Sequence, residues 1–193
     1  MSALISHHQL TGLGLSPTDA FDYLLIDGVK MEPVLNWVYQ NIENPEWYPL
    51  YKNTRYNDVI DLSPCLVRVP ADSDITYQFE HELGPQGVAI WLRSYQAVDV
   101  LGAHLSRLLW ITTEEGQYLH YRFYDPASLS KLTPELTSEE SAKLYHGVER
   151  ITWFDAAQGL WKQMSVPQKE PQSSPSAGVV FKPEWISATL KVS

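Results

Sequence analysis

Phe21-Asp22-Tyr23-Leu24-Leu25-Ile26-Asp27-Gly28 is a short apolar run that closes on an Asp-Gly pair. A run of this kind, bounded by a turn signal, predicts a buried strand that ends in a turn. In the segment that follows, residues 33–42, apolar side chains recur at the spacing of an amphipathic helix. The sequence therefore predicts a first unit of strand, loop and helix.

The alternation of strand and helix continues along the next part of the chain. Residues 65–69 and 88–92 predict further strands, and residues 75–83 and 98–108 carry the apolar spacing of helices. Repeated alternation of this kind favours a sheet with at least some parallel pairing and right-handed crossovers.

After residue 108 the pattern changes to paired strands. Residues 109–113 and 118–124 are rich in aromatic and β-branched side chains and flank Glu114-Glu115-Gly116, which predicts an antiparallel hairpin with a glycine in its turn. Residues 148–154 and 160–166 predict a second hairpin. The expected fold class is therefore α/β (α+β), a mixed β-sheet flanked by helices, with an antiparallel hairpin and a short C-terminal extension.

The sequence predicts two helix N-termini between the hairpins. Asp125-Pro126 supplies an N-cap acid and a proline at the first helical position, and this pair predicts a helix toward Leu132. Thr137 and Glu140 stand three residues apart as in a capping box, which predicts a second helix to about Tyr145.

A change of composition lies near the end of the sequence. Residues 168–176 are polar and interrupted by prolines, which predicts a linker, and apolar side chains return over residues 179–186. We expect that tail to dock onto the body of the protein or onto a partner. The predicted organisation is a main domain over residues 1–147 and a short C-terminal hairpin, linker and tail over residues 148–193.

Charge and composition exclude some classes of partner. The 193 residues carry a formal net charge of -9. Because a surface that binds a phosphate backbone needs positive charge, we expect no nucleic acid partner. No stretch of 18 apolar residues occurs, so we expect no membrane partner. The chain has a single cysteine, Cys65, and its start does not resemble a signal peptide, so we expect a cytoplasmic protein.

The sequence offers no assembled catalytic or metal-binding motif. Its histidines lack helical metal-ligand spacing, and no Gly-x-Ser-x-Gly elbow occurs, so we predict no catalytic residue, metal site or cofactor. Asp27 could supply a carboxylate for acid-base or metal chemistry, but the favoured interpretation is a turn residue bonded to backbone amides, with Gly28 at positive φ. The competing hypothesis is a small cytosolic hydrolase that uses Asp27 with His104.

The most distinctive string is Arg122-Phe123-Tyr124-Asp125-Pro126. On a strand, Arg122 and Tyr124 would share one face and form a polar-aromatic surface. Arg122 and Asp125 could form a bidentate ion pair that fixes the corner between strand and helix. Gly28, Asp125 and Pro126 are thus predicted as structural corner residues, and the string is open to a structural role, a recognition surface, or both.

Two tryptophans lie in segments framed by prolines. Trp47 stands in Pro45-Glu46-Trp47-Tyr48-Pro49, and Trp185 follows Pro183. Helices and strands seldom bury such segments, so we expect these two aromatic side chains to be exposed at an interface.

The order of several short blocks resembles the type VI secretion effector adaptor family, the Tap or Tec chaperones, whose domain has long been labelled as of unknown function. The blocks are Leu24-Leu25-Ile26-Asp27-Gly28, Trp47-Tyr48-Pro49-Leu50-Tyr51, Ser63-Pro64-Cys65-Leu66-Val67, His104-Leu105-Ser106-Arg107-Leu108-Leu109 and Arg122-Phe123-Tyr124-Asp125-Pro126. The resemblance covers about residues 21–147, and its last two blocks are the specific ones. Lys52-Asn53-Thr54 departs from the pattern, which has a glycine before the threonine, and members commonly carry a longer C-terminal lobe.

The resemblance implies a non-enzymatic adaptor over residues 1–147 that binds a cognate toxic effector protein in the cytoplasm and helps to load it onto the VgrG spike. Contact with the effector is expected near Arg122, Tyr124 and Asp27, with Trp47 and Trp185 as further partner-binding residues. A hydrolase and an immunity protein that neutralises the toxin are the alternatives.

Overall fold

The computed structural model describes residues 20–71, 73–112 and 118–167. Its strands are β1 Phe21–Ile26, β2 Trp47–Pro49, β3 Cys65–Arg68, β4 Ala89–Ser94, β5 Trp110–Thr112, β6 Tyr118–His120, β7 Val148–Asp155 and β8 Leu160–Ser165. Its α-helices are α1 Val34–Asn41, α2 Ile75–Gln78, α3 Val98–Arg107, α4 Pro126–Leu132 and α5 Ser138–Leu144. A π-helical turn, Phe79–Leu83, extends α2, and short 3-10 helices span Asn57–Leu62 and Thr133–Glu135.

The fold is α+β, as predicted, and its main sheet has six strands in the order β2-β3-β1-β4-β7-β8. Strands β5 and β6 form a separate two-stranded hairpin. Every neighbouring pair in the described part of the chain is antiparallel. The expectation of some parallel pairing, and hence of a mixed sheet, is therefore wrong.

The position of β1 in the sheet explains the antiparallel pairing. Strands β3 and β4 are both antiparallel to β1, so they run in the same direction, and the segment containing α2 connects them. Because β1 lies between β3 and β4, the connection crosses over it in a split β–α–β arrangement. The strand-helix-strand pattern predicted the crossover but not the strand inserted between its two ends.

Alternation along β1 distributes its side chains between two hydrophobic layers. Tyr23 and Leu25 pack with apolar side chains of α3, α4 and α5 on one face of the sheet. Leu24 and Ile26 pack with α1, α2 and the π-helical turn on the other face. Residues 23–26 of the strand are buried on both faces, as the apolar run predicted, whereas Phe21 and Asp22 are partly exposed.

The two predicted hairpins are present, with one difference. Strands β7 and β8 pair as predicted, and β7 also pairs with β4, so this hairpin extends the main sheet. In the first hairpin, β6 ends at His120, and the chain then turns so that the Asp125 amide donates to the Arg122 carbonyl over 3.0 Å. The prediction that the strand runs on to Tyr124 is therefore wrong.

Both predicted helix starts are confirmed. A side-chain oxygen of Asp125 accepts a hydrogen bond from the Ser128 amide over 3.1 Å, and Pro126 occupies the first position of α4. Thr137 and Glu140 form the complete capping box of α5. These short-range signals act within one helical turn, which is why the local sequence is sufficient to predict them.

Several predictions fall on residues that the structure does not describe. They are the turn at Glu114-Glu115-Gly116, the linker at 168–176 and the tail at 179–186 with Trp185. Among the described residues, no helix has the length and apolar character needed to cross a membrane.

Helix α3 lies directly on the edge strand β2 because Gly102 has no side chain. A Cβ atom at position 102 would lie 2.9 Å from the Cβ atom of Tyr48 and would overlap its ring. We expect Gly102→Ala to lower the free energy of unfolding by about 1–2 kcal/mol, because overpacking outweighs the gain in helix propensity of about 1 kcal/mol.

Urea unfolding followed by tryptophan fluorescence measures this effect. The neighbouring change Ala103→Gly calibrates helix propensity at this point of α3, and we expect it to cost about 1 kcal/mol. A Gly102→Ala variant more stable than the wild type would show that α3 does not need this close approach.

Candidate functional site

Asp27 forms the corner where β1 ends. Its side chain is only 3% exposed, and its amide donates to the Val88 carbonyl over 2.8 Å. Its Oδ1 atom accepts hydrogen bonds from the amides of Val29 at 3.0 Å and Lys30 at 3.4 Å. The interpretation of Asp27 as a turn residue bonded to backbone amides is confirmed.

Gly28 is required for close packing and not for an unusual backbone angle. Its φ is not positive, so that part of the sequence interpretation is wrong. A Cβ atom at this position would overlap the Ser63 carbonyl oxygen and come within 2.8 Å of the Leu62 carbonyl carbon. Gly28 therefore lets the corner lie directly against the segment before β3.

Arg122 forms an ion pair with Asp27 through its guanidinium Nη2 atom and the Asp27 Oδ2 atom. The predicted pair between Arg122 and Asp125 is wrong. One oxygen of Asp125 accepts from the Ser128 amide that begins α4, and the other binds the Lys30 ammonium at 2.9 Å. Both carboxylate oxygens are therefore engaged, and Arg122 extends to the buried acid at the end of β1.

The four side chains form two ion pairs that join the same two segments. Asp27 and Lys30 lie just after β1, whereas Arg122 and Asp125 lie just before α4, so the pairs Asp27–Arg122 and Lys30–Asp125 together are electrically neutral. Lys30 also donates to the carbonyl oxygen of Gly87, 2.9 Å away. We name these four side chains the charged corner.

Electrostatics within the charged corner favour the ionised forms. Burial raises the pKa of Asp125, but the hydrogen bond and charge of Lys30 outweigh it and hold that pKa below its usual value. Burial lowers the pKa of Arg122, but the charge and hydrogen bond of Asp27, together with Tyr124 and Asp125, outweigh it, so that the net shift is upward. The charged forms of Asp125 and Arg122 are thus favoured in the folded protein.

Tyr124 lies inside the protein beneath the charged corner. Tyr121, Phe123 and Tyr124 are all buried, so the predicted face shared by Arg122 and Tyr124 does not form a polar-aromatic surface. Tyr124 hydrogen-bonds to Tyr51, and burial raises the pKa of both phenols. From this string the Arg122 side chain, 39% exposed, reaches solvent most, and the Asp125 side chain is 20% exposed.

The segment after β2 is tied to the same corner. The Tyr51 amide donates to Ser63 Oγ over 2.9 Å. Asn53 has a φ of 58°, in the left-handed region that favours glycine and that asparagine tolerates better than most residues. The departure from the family pattern, an asparagine before Thr54, therefore keeps the backbone conformation that a glycine would allow.

Trp47 lies on the edge strand β2 and is half-buried, with its Nε1 atom 3.2 Å from the Tyr39 hydroxyl. It borders a cleft of about 170 Å³ between α1, β2 and the 3-10 helix before β3. The cleft residues are Pro33, Val34, Leu35, Trp47, Pro49, Ile60, Asp61, Ser63 and Cys65. We name it the α1–β2 cleft; sequence reasoning missed it because its walls come from three separated segments.

A second feature that sequence reasoning missed is an aromatic stack that holds the β5–β6 hairpin. The rings of Tyr56 and Trp110 stack with centroids 4.7 Å apart, and the Arg55 guanidinium lies 4.6 Å from the Trp110 ring centroid. The His120 ring packs edge-on against Tyr56 at 5.2 Å. These contacts fix the hairpin to the loop that follows β2.

The structure does not bring Asp27 and His104 together. His104 Nε2 donates to the Leu144 carbonyl over 3.1 Å, and its ring packs against His146. Burial lowers the pKa of His104, which favours the neutral imidazole.

The described residues include no group of three or more potential metal ligands. Burial raises the pKa of the Cys65 thiol to about 12, so it stays protonated near neutral pH.

The Asp27–Arg122 pair should contribute far more to stability than an exposed pair. We expect a double-mutant cycle of Asp27→Asn and Arg122→Gln to give a coupling free energy of about 2 kcal/mol, because either single change leaves an unpaired group in a largely buried site. Urea unfolding of the four proteins measures it. The exposed pair Glu139–Lys143 in α5 is the matched control, with less than about 0.5 kcal/mol expected. Equal coupling in the two cycles would contradict the structural role of the charged corner.

Asp125 should make stability depend on acid pH. Its pKa is lower in the folded than in the unfolded protein, so its contribution is complete above the unfolded value of about 4 and is lost as the pH falls through the folded value. We expect Asp125→Asn to lose less of its free energy of unfolding than the wild type between about pH 5 and pH 2. Unfolding curves across that range, with Glu135→Gln as an exposed control, test this; parallel profiles for wild type and Asp125→Asn would contradict it.

Comparison with known proteins identifies the family. The sequence matches the family described as a domain of unknown function, DUF4123, over residues 23–143, which is more than half of the chain. No curated protein and no solved structure gives a significant match. The matched region contains the charged corner, the α1–β2 cleft and the aromatic stack. The chain belongs to the DUF4123 family.

Proposed function

We propose that this protein is an adaptor that binds a cognate toxic effector of a type VI secretion system and helps to load it onto the VgrG spike. Family membership by itself leaves the activity open. The proposal adds the resemblance of five sequence blocks to the Tap or Tec chaperones, together with the way in which those blocks meet in the fold.

The observation that carries the proposal is the convergence of blocks that are distant in sequence. Asp27 of the first block pairs with Arg122 of the last, 95 residues away. Tyr51 of the second block hydrogen-bonds to Tyr124 of the last and to Ser63 of the third. Residues from four of the five blocks therefore meet at one corner, which favours a role in fixing the shape of a surface.

The engagement of Asp27 supports binding over acid-base catalysis. Its Oδ1 atom accepts from two backbone amides and its Oδ2 atom pairs with Arg122. A general base needs a carboxylate oxygen within hydrogen-bond reach of the substrate. Because both oxygens are engaged and the side chain is buried, Asp27 is better suited to hold the corner than to take a proton from a substrate.

The surface around the corner suits a polypeptide partner. Val29 is exposed directly beside the Asp27 turn, and Val59 and Ile60 are exposed on the 3-10 helix that leads to Ser63. Exposed apolar side chains and a partly exposed arginine such as Arg122 are typical of protein-protein contacts. Arg122 therefore remains part of the predicted contact region, and the buried side chains of Tyr124 and Asp27 hold it in position.

Affinity purification of the full-length protein from its native host, with mass spectrometry of the retained proteins, tests the proposal. We expect one secreted toxin to be retained, and we expect deletion of the gene for the adaptor to abolish secretion of that toxin but not its synthesis. A host that secretes the same toxin normally after the deletion would contradict the proposal.

A matched pair of variants tests the contact region. Val29 is 55% exposed beside the corner, and Val100 is 53% exposed on α3. We expect Val29→Glu to weaken retention of the toxin about tenfold, because a carboxylate would be desolvated in the contact, and Val100→Glu to leave it unchanged. Equal retention by both variants would move the contact elsewhere. Rescue of growth on co-expression with the toxin alone would instead identify an immunity protein.

A further inference from the structure

The α1–β2 cleft is apolar on its walls and floor. Val34, Leu35 and Trp47 contribute apolar walls, and Cys65, whose thiol stays protonated, lies at its base. Ser63 lines the cleft, and the backbone of Leu62 and Ser63 packs against Gly28. The cleft therefore adjoins the contact region of the proposed function.

The size of the cleft corresponds to one ring. Its volume of about 170 Å³ is close to that of an apolar cavity of about 150 Å³ that accepts benzene. A phenylalanine side chain fits a space of this size, and burying it would remove an aromatic surface from water. A cleft of this volume is too small for a helix or for several side chains.

The edge strand beside the cleft is a poor template for strand addition. Strand β2 has only three residues, and Pro49 has no amide hydrogen to offer to an added strand. Insertion of a single side chain is therefore favoured over β-augmentation as the way in which a partner would use this edge.

The carboxylates around the cleft favour a partner segment with a positive charge. Asp61 borders the cleft, Asp58 lies three residues earlier, before the non-helical Val59, and Glu32 precedes Pro33. All three are exposed, and none takes part in a salt bridge within the described part of the chain. The nearby cation Lys30 is engaged with Asp125. A basic segment would complement these carboxylates, and an acidic segment would be repelled.

We propose that the α1–β2 cleft takes one aromatic side chain from a basic segment of the partner polypeptide. The inference rests on the proposed adaptor function and adds the chemistry of the segment that the adaptor recognises. The aromatic ring supplies the buried anchor, and flanking lysine or arginine side chains pair with Glu32, Asp58 and Asp61.

A peptide titration of the full-length protein tests this directly. The probe is acetyl-Lys-Phe-Lys-amide, and the controls are acetyl-Lys-Ser-Lys-amide and acetyl-Glu-Phe-Glu-amide. Methyl NMR should show saturable shifts of Val34, Leu35 and Ile60 with the probe, none with the serine peptide, and binding weaker by about tenfold with the acidic peptide. Shifts confined to other methyl groups, or none at all, would overturn the proposal.

Matched variants separate the two parts of the proposal. Ile60→Trp should fill the cleft and abolish probe binding, whereas Val100→Trp should not. Asp61→Lys should weaken probe binding about fivefold, whereas Glu135→Lys should have no effect. If Ile60→Trp does not fold, the charge variants still decide, and unchanged binding by Asp61→Lys would overturn the electrostatic half.

Retention of the toxin from the host distinguishes this inference from the proposed function. If the wild type retains the toxin and the Ile60→Trp and Asp61→Lys variants retain it equally well, the cleft inference is wrong and the adaptor function stands. If the wild type retains no secreted toxin, the adaptor function is wrong, and the peptide titration alone decides whether the cleft binds a basic aromatic segment.

Discussion

The ion pair between Asp27 and Arg122 is the interaction on which this end of the molecule depends. Asp27 ends the central strand β1, and Arg122 lies in the turn before α4, so the pair joins the middle of the sheet to the helical layer that covers it. A buried carboxylate without a partner is strongly destabilising, so the two segments are constrained to meet. The parallel link between Lys30 and Asp125 makes the same connection from the other side.

Close packing around this pair sets the shape of the surface. Gly28 lets the corner touch the segment before β3, and the Tyr51–Tyr124 hydrogen bond connects that region to the turn before α4. The charged groups of the corner form two ion pairs, whereas Glu32, Asp58 and Asp61 around the α1–β2 cleft have no salt bridge among the described residues. The ion pairs of the charged corner thus fix the backbone around them, and the three exposed carboxylates remain available for contacts with a partner.

The sequence could predict the features that depend on residues close together in the chain, and it could not predict those that depend on distant residues. The strand over 21–26, the cap at Asp125 and the capping box at Thr137 depend on neighbours within a few residues, and all are confirmed. The partner of Arg122 could not be found in this way, because Asp125 is three residues away and the true partner is 95 residues away. The prediction of parallel strand pairing was wrong for the same reason, because the position of β1 between β3 and β4 depends on the whole sheet. The α1–β2 cleft, whose walls come from separate segments, has no local signal at all.

We propose that this end of the protein is a surface that binds another polypeptide. Hydrogen-deuterium exchange of the full-length protein, alone and mixed with the toxin that we propose it binds, tests this. We expect slower exchange over residues 27–35 and 57–65 in the complex, with α3 unchanged. Slower exchange confined to α3 or α5, with these two segments unaffected, would contradict it.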